Sequence, residues 1–323
     1  REDNAIPISQ EKLEEVLKKL FPQGDCEVEK LQKSGAPDAI CSLTADELLL
    51  LASKNSKAAA AGWSGWTEEL FVIAMRSDAA RDDLTAFVKD IVCNKVDKTV
   101  RLMIVLGKLI GLHKPGSTVE TPKIRPIGIC EVFLKLAGYV ALDVVKDEIK
   151  GYFSDNLQYG VLHKGGAEEI VHHLRELMAE YKYLVTIDAK NAFNAICRKA
   201  IRAELAANPR FAQVYALFDL EYGSPAFLIT PEGIQITCKN GTRQGGPTAS
   251  FFFALGMHPV LKAFFEKFKK EGKDIVIKAY LDDINLVAKC PAVLEEAVIY
   301  LEKGLGDIGL EVNYSKCFWM GPT

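Results

Sequence analysis

Two adjacent aspartates, Asp282 and Asp283, stand between two short apolar runs and constrain the fold of this chain more than any other feature. The runs 275–277 and 284–287 have the length and the β-branched or aliphatic content of strands. Asp is common in turns because its side chain accepts hydrogen bonds from its own backbone. By itself, the pair therefore predicts a β-hairpin and no chemistry.

A third aspartate, Asp188, follows another apolar strand, 183–187, well upstream in the chain. Carboxylates at the ends of different strands can hold two divalent cations roughly 3.5–4 Å apart, the spacing used for in-line displacement at phosphorus. The three aspartates together predict such a two-cation site. In it, Asp188 and Asp282 bridge the ions and Asp283 tunes the surrounding charge.

The composition is that of an ordinary globular protein. The chain has 323 residues, 49% hydrophobic and 26% charged, which is enough for one large domain or two. It begins with Arg instead of Met, so we expect a part of a longer protein, and neither a membrane span nor a secretory leader is expected. The eight cysteines are scattered without a Cys-x-x-Cys pair, which favours reduced thiols in a nuclear or cytoplasmic protein.

The charge is unevenly distributed along the chain. The net charge of −3 argues against a protein that coats nucleic acid nonspecifically. Between Lys95 and Lys135, however, eight basic residues stand against three acidic ones, an excess of five positive charges. This segment can attract a polyanion.

Periodicity and turn residues predict the order of the elements. Residues 1–60 are expected to be helical, with helix starts at Ser9 and Thr44, and residues 67–112 to hold further amphipathic helices. A glycine-containing loop with Trp63 and Trp66, both expected in the core, lies between them. The remaining predicted elements are a basic hairpin over 113–129, helices at 131–150, 167–180, 195–207, 247–271 and 291–304, a hairpin at 226–239, and strands at 182–187, 275–280, 284–288 and near 309–313. This order predicts an α+β fold whose largely antiparallel sheet is backed by helices on one face.

Five short segments form an ordered series of motifs along the chain. They are Lys-Ile-Arg-Pro-Ile-Gly-Ile (123–129), Thr-Ile-Asp-Ala-Lys-Asn-Ala-Phe-Asn (186–194), Gly-Thr-Arg-Gln-Gly-Gly-Pro (241–247), Ala-Tyr-Leu-Asp-Asp (279–283) and Gly-Leu-Glu-Val-Asn-Tyr-Ser-Lys-Cys (309–317). In this order they resemble the motifs of reverse transcriptases, each of which is weak singly and specific jointly. Together with segments 61–67 and 253–261, they look most like non-LTR retrotransposons, of the site-specific type grouped with spliced-leader and ribosomal-DNA elements. The resemblance covers about residues 60–320.

The resemblance implies a right-hand polymerase fold with fingers and a ferredoxin-like antiparallel palm. It divides the chain into a helical N-terminal extension (1–60), fingers with the first palm elements (61–180) and palm (181–323). Because the sequence ends shortly after the last motif, we expect no thumb within it, and hence a weak grip on duplex.

The same resemblance implies an RNA-directed DNA polymerase that extends a DNA or RNA primer with deoxynucleotides along an RNA template. Two Mg²⁺ ions, or Mn²⁺ in their place, would be held by Asp188, Asp282 and the backbone of Ala189, which also adjoins the nucleotide. Lys316 matches a lysine that could protonate the departing pyrophosphate, although a surface lysine is nearly as good an interpretation.

Further residues match the family's nucleotide and nucleic-acid contacts. Phe193 matches the aromatic residue that excludes a 2′-hydroxyl, and Gln244 the glutamine beside the incoming nucleotide. Arg125, Lys123 and Lys114 match the cations that clamp the triphosphate, and a solvated basic hairpin is the alternative for the lysines. Gln158, Lys164, Arg243 and Gly245 match positions near template and primer, with loop structure as the alternative for Gln158 and Lys164.

The sequence departs from the family pattern at two positions of the Gln244 loop region. Gly246 stands where many relatives carry Asp or Cys, and Ser250 where most carry Pro. A catalytically silent nucleic-acid-binding or structural module is the main alternative, and its mark would be loss of the carboxylates, all of which are present. Phe193 disfavours an RNA-dependent RNA polymerase, which tends to need a polar residue there.

Overall fold

A computed structural model describes residues 8–22, 40, 42–55 and 60–322 of the chain. Its helices are α1 (Gln10–Leu20), α2 (Ala45–Asn55), α3 (Glu68–Ala74), α4 (Asp78–Val92), α5 (Lys98–Val105), α6 (Val132–Val144), α7 (Lys146–Tyr152), α8 (Gly166–Glu180), α9 (Ala192–Ala195), α10 (Arg198–Ala207), α11 (Ala212–Tyr222), α12 (Ala249–Lys270) and α13 (Pro291–Asp307). The strands are β1 (Gly107–His113), β2 (Ile124–Ile129), β3 (Tyr183–Ile187), β4 (Ala226–Ile229), β5 (Gln235–Cys238), β6 (Ile275–Tyr280), β7 (Asp283–Ala288) and β8 (Phe318–Met320). None of the helices in the described ranges is long and apolar enough to cross a bilayer.

The two helix starts predicted in the N-terminal segment are confirmed. The Ser9 hydroxyl accepts a hydrogen bond from the backbone of Lys12, which caps α1. Thr44 and Glu47 exchange hydrogen bonds in a capping box at the start of α2. The rest of the predicted extension, and the first residues of the glycine-containing loop, lie largely outside the described residues.

A first compact unit comprises the described residues up to Val145 together with Asn208–Ala249. Its sheet has the order β2-β1-β4-β5, in which β1 and β4 are parallel and the other pairs antiparallel. Helix α1 covers this sheet, because Leu17 and Phe21 pack among Leu109 and Ile124. The N-terminal helix is therefore a scaffold for the sheet that contains the basic hairpin.

Two predictions in this unit are wrong. Residues 107–112 form strand β1 instead of a helix end, because pairing with β2 and β4 overrides the local apolar pattern. Trp63 is 41% exposed and not in the core: its indole N–H donates to the Gly107 carbonyl, and the surrounding loop wraps the Glu131 carboxylate. Trp66 is half-buried, and its ring packs on that of Phe133.

A second compact unit comprises Lys146–Ala207 and the described residues from Ser250 onward. Its sheet has the order β6-β7-β3-β8 and is antiparallel throughout, which confirms the predicted palm-like sheet and its three main strands. The strand predicted near 309–313 is wrong, since only a single bridge between Val312 and Ala189 forms there. The fourth strand, β8, begins after the turn that contains Lys316.

Helices pack on both faces of this second sheet, not on one face as predicted. Leu184 and Val287 pack against α8, whereas Val185 and Ile187 line a cavity with side chains of α13. Because side chains alternate along β3, Leu184 points to one face of the sheet, and Val185 and Ile187 point to the other. The division at residues 60 and 180 stays a prediction; the compact units are instead built from interleaved stretches of chain.

Candidate active site

The strand register brings the three aspartates to the same end of the second sheet. Ile187 pairs with Ile284 across β3 and β7, and Tyr280 pairs with Asp283 across β6 and β7. Asp188 therefore follows β3 at the edge where the β6–β7 turn presents Asp282 and Asp283. The sequence prediction that these carboxylates share one site is consistent with this placement.

Two of the three carboxyl groups, those of Asp282 and Asp283, have raised pKa values. Burial, and next the negative charges of Asp283 and Asp188, raise the pKa of Asp282 above that of an ordinary aspartate. Burial and the charge of Asp188 likewise raise the pKa of Asp283. Lys316 opposes both effects, and its ammonium lies 3.3 Å from Oδ2 of Asp188. The cluster thus holds more negative charge than the protein neutralises, which favours a bound cation.

Asp188 is oriented by a residue that the sequence predictions missed. The Asn313 side-chain amide donates a hydrogen bond of 2.9 Å to Oδ2 of Asp188, and the Asn313 backbone N–H donates to the Asp188 carbonyl. Asn313 lies within the last family-like motif, but no residue-type rule separated it from its neighbours. Its contact with Asp188 identifies it.

The oxygen atoms available at this site suit a hard divalent cation. Asp188, Asp282 and the backbone carbonyl of Ala189 offer only oxygen atoms, which Mg²⁺ and Mn²⁺ prefer. In the described parts of the chain, no three His, Cys, Asp or Glu side chains already converge on one point in the way a closed metal site requires. Asp188 instead faces Asn313 and Lys316.

Phe193 lies in α9, close after Asp188 in the chain. Its ring stacks on the fully buried ring of Phe253 in α12, with centroids 4.6 Å apart and planes inclined by 14°. Phe193 itself is half-buried. The stacked ring of Phe253 fixes the plane of the Phe193 ring.

The three predicted triphosphate cations lie in the first unit, on the hairpin of β1 and β2. Arg125 and Lys123 are exposed, and Lys114 is half-buried. The hairpin tip is ordered, since the Lys114 backbone N–H donates to the Lys123 carbonyl and the Lys123 N–H to the Ser117 hydroxyl. The tip thus presents cations on a defined backbone.

The loop with Gln244 and Gly245 also belongs to the first unit and is tied to β2. The Gly128 N–H donates to the Gln244 carbonyl at 3.0 Å. Gly245 has φ +106°, and a Cβ there would stand 2.6 Å from the Gly128 carbonyl oxygen. The glycine is thus required by the approach of β2, and Gln244 is left half-buried at the loop surface.

Arg243 is buried beneath this loop, which argues against the predicted template or primer contact. Its side chain donates to the Val105 carbonyl at 2.6 Å and lies 3.7 Å from the Cys130 sulfur. Burial raises the pKa of the Cys130 thiol, so this thiol stays protonated and unreactive. Only 8% of Arg243 is exposed.

Gln158 and Lys164, both predicted near template and primer, differ in burial. Gln158 is 1% exposed, and its amide hydrogen-bonds to the backbone of Leu281 and Gly160. This burial argues against the predicted template contact. Lys164 is exposed, just before α8.

Comparisons with known proteins find a matching family and two similar proteins. The family described as "Reverse transcriptase (RNA-dependent DNA polymerase)" matches residues 112–322. The retrotransposable element SLACS 132 kDa protein of Trypanosoma brucei gambiense is 28% identical over 282 residues, which cover 86% of this chain and 23% of that protein. The structure of apo telomerase from Candida tropicalis, truncated from its C-terminal domain, matches 68% of this chain and 51% of its own with a TM-score of 0.48 and 11% identity.

The family match covers most of the predicted site residues. It includes the tip of the β1–β2 hairpin and strand β2 in the first unit, and all three aspartates and Lys316 in the second. The chain spans about a quarter of the curated relative. Reverse transcriptase domains use divalent metal ions, in keeping with the oxygen-donor cluster. The resemblance predicted from the sequence motifs is confirmed, and the chain belongs to the reverse transcriptase (RNA-dependent DNA polymerase) family.

Proposed function

We propose that this chain is the RNA-directed DNA polymerase domain of a non-LTR retrotransposon protein. It would add deoxynucleotides to the 3′-hydroxyl of a DNA or RNA primer along an RNA template. The observation that carries this proposal is the placement of Asp188, Asp282 and Asp283 at one end of an antiparallel sheet, where burial and neighbouring carboxylates raise the pKa of Asp282 and of Asp283. Family membership and the similarity to a retrotransposon protein support it.

Asp188, Asp282 and the carbonyl of Ala189 would hold two Mg²⁺ ions, or Mn²⁺ in their place. When bound, such ions activate the primer hydroxyl and stabilise charge on the departing pyrophosphate. Asp283 sets the local negative charge, and Asn313 orients Asp188. The Lys316 ammonium forms an ion pair with Asp188 in this cluster. From this position it can donate a proton to the leaving group.

Phe193 would select deoxynucleotides. A planar ring fixed from behind by Phe253 leaves little freedom to move away from an added 2′-hydroxyl. Gln244 would adjoin the incoming nucleotide. Arg125, with Lys123 and Lys114, would bind the triphosphate, because a guanidinium matches phosphate oxygens with paired donors. Lys164 and Gly245 remain the candidates for template and primer contacts.

Primer extension on an RNA template tests the proposal. The full chain is incubated with Mg²⁺ and either deoxynucleotides or ribonucleotides. We expect incorporation of deoxynucleotides, a loss of at least about 10³-fold in Asp282→Ala, and increased ribonucleotide use in Phe193→Val. Asp274→Ala is the matched control, since this exposed aspartate lies at the opposite end of the same hairpin.

Two results would overturn the proposal. One is extension by Asp282→Ala at the wild-type rate, which would remove the carboxylate from catalysis. The other is template binding without any extension in Mg²⁺ or Mn²⁺, which would favour the silent nucleic-acid-binding module.

A further inference from the structure

Gln158 uses its whole side-chain amide to hold the backbone of Leu281. Its Oε1 accepts a hydrogen bond of 2.7 Å from the Leu281 N–H, and its Nε2 donates to the Leu281 carbonyl at 3.3 Å. The same Oε1 accepts from the Gly160 N–H at 2.9 Å. Because Gln158 is only 1% exposed and both amide atoms already bond to backbone, the amide is not accessible to an external ligand.

The segment around Gln158 is joined to the edge of the catalytic hairpin. The Tyr159 N–H donates to the Ala279 carbonyl and the Ala279 N–H to the Leu157 carbonyl, both at 2.8 Å. Gly160 closes the contact: a Cβ there would stand 2.6 Å from Leu281 Cγ and 2.8 Å from the Leu281 nitrogen. Only glycine permits this approach.

The residue that they hold is conformationally strained. Leu281 has φ +53°, in the left-handed region that costs a non-glycine residue about 1–2 kcal/mol. Surrounding structure must hold such a residue in place. Asp282 follows directly, so the direction of its carboxylate depends on the backbone angles of Leu281.

We propose that Gln158 is a positioning residue that holds Leu281 in its left-handed conformation and thereby aims Asp282 at the metal site. Gly160 supports the same turn by close contact. This inference rests on the proposed function, because it assigns Gln158 to the geometry of that metal site. It replaces the template contact that the sequence predicts for Gln158.

Direct Mn²⁺ binding to the full chain tests the role without relying on catalysis. Gln158→Met keeps the size of the side chain and removes every hydrogen bond. We expect its Kd for Mn²⁺, measured by electron paramagnetic resonance of the free ion, to rise about 10–100-fold, as for other groups that orient metal ligands. Gln235→Met, at an exposed glutamine of β5, is the matched control and should bind Mn²⁺ like the wild type.

A rescue variant separates positioning from a general structural role. Asparagine tolerates the left-handed region, so Leu281→Asn in the Gln158→Met background should recover at least part of the lost Mn²⁺ affinity. Should Gln158→Met fail to fold, Gly160→Ala disturbs the turn from the other side with Gln158 intact, and it should weaken Mn²⁺ binding. Gly151→Ala is its control, because no atom lies within 4 Å of a Cβ at that glycine.

The outcomes separate the two proposals. Unchanged Mn²⁺ binding in Gln158→Met, with weaker template binding, would overturn the positioning role. No recovery by Leu281→Asn would also overturn it. Asp282→Asn is the reference for the site itself: if it binds Mn²⁺ like the wild type, the proposed metal site fails, whatever Gln158 does.

Discussion

Asn313 holds Asp188 at two points, through its side-chain amide to Oδ2 at 2.9 Å and through its backbone N–H to the Asp188 carbonyl at 2.8 Å. Asn313 is fixed in turn by Ser315, whose hydroxyl donates to its Oδ1 at 2.8 Å. The orientation of the β3 carboxylate is thus set from the turn before β8. Leu281 and Gln158 orient the carboxylate of the β6–β7 hairpin separately.

Asn313→Ala should reduce kcat for primer extension about 10–100-fold, because Asp188 loses the donor that fixes its carboxylate. The cost in folding free energy should be only about 1 kcal/mol, the net value of one hydrogen bond. Steady-state extension kinetics and thermal unfolding measure the two effects. Glu311→Ala, which removes an exposed ion pair with Lys190 nearby, should retain kcat. Equal kcat values in both variants would exclude the orienting role.

Phe253→Leu should relax discrimination against ribonucleotides although Phe253 is fully buried. Without its stacked partner the Phe193 ring gains freedom to move, and we expect a drop in discrimination smaller than the roughly 10-fold or greater drop in Phe193→Val. The measured quantity is the ratio of kcat/KM for deoxynucleotide and ribonucleotide. Phe264→Leu, whose ring packs on Phe268 in the same helix, should leave the ratio unchanged. An unchanged ratio in Phe253→Leu would mean that the stack does not set selectivity.

Arg243→Ala should act on stability. The substitution leaves the buried Val105 carbonyl without its donor and opens a cavity beneath the Gln244 loop, a loss of about 3 kcal/mol or more. Denaturant unfolding measures this loss. Arg125→Ala is the opposite case: the exposed guanidinium contributes within about 0.5 kcal/mol to stability, but its loss should raise KM for the nucleotide. A fully stable Arg243→Ala with weakened template binding would restore the predicted template contact.

The sequence predicts the hairpin of Asp282 and Asp283 well because its information is local: two apolar strands flank a pair of turn residues. Asp188 joins them because it directly follows a strand. By contrast, the start of β1, at Gly107 and Lys108, pairs with β4, far away in the chain, and no local pattern encodes that contact. The strand predicted near 309–313 fails because its backbone forms only an isolated bridge beside Ala189 before the chain turns at 314–316.

The roles of Gln158 and Arg243 could not be predicted for a chemical reason. An amide or a guanidinium suits a nucleic acid and a buried backbone carbonyl equally well, since both partners need the same donors. Only burial separates the two interpretations, and burial here depends on segments distant in sequence.

Asp283→Asn should stabilise the metal-free protein at neutral pH. Burial and the charge of Asp188 raise the folded-state pKa of Asp283, so the folded protein holds its proton more tightly than the unfolded chain. Stability from this group is complete at low pH and is lost as pH rises through the folded pKa. The neutral amide avoids that loss. The gain in unfolding temperature should therefore appear at pH 7, with a chelator present to remove metal, and vanish near pH 3, where Asp283 is protonated in both the folded and the unfolded protein. Asp307→Asn, at the C-terminal end of α13, is the control. A lower unfolding temperature for Asp283→Asn at pH 7 would show that the negative charge of Asp283 stabilises the metal-free fold, which contradicts this prediction.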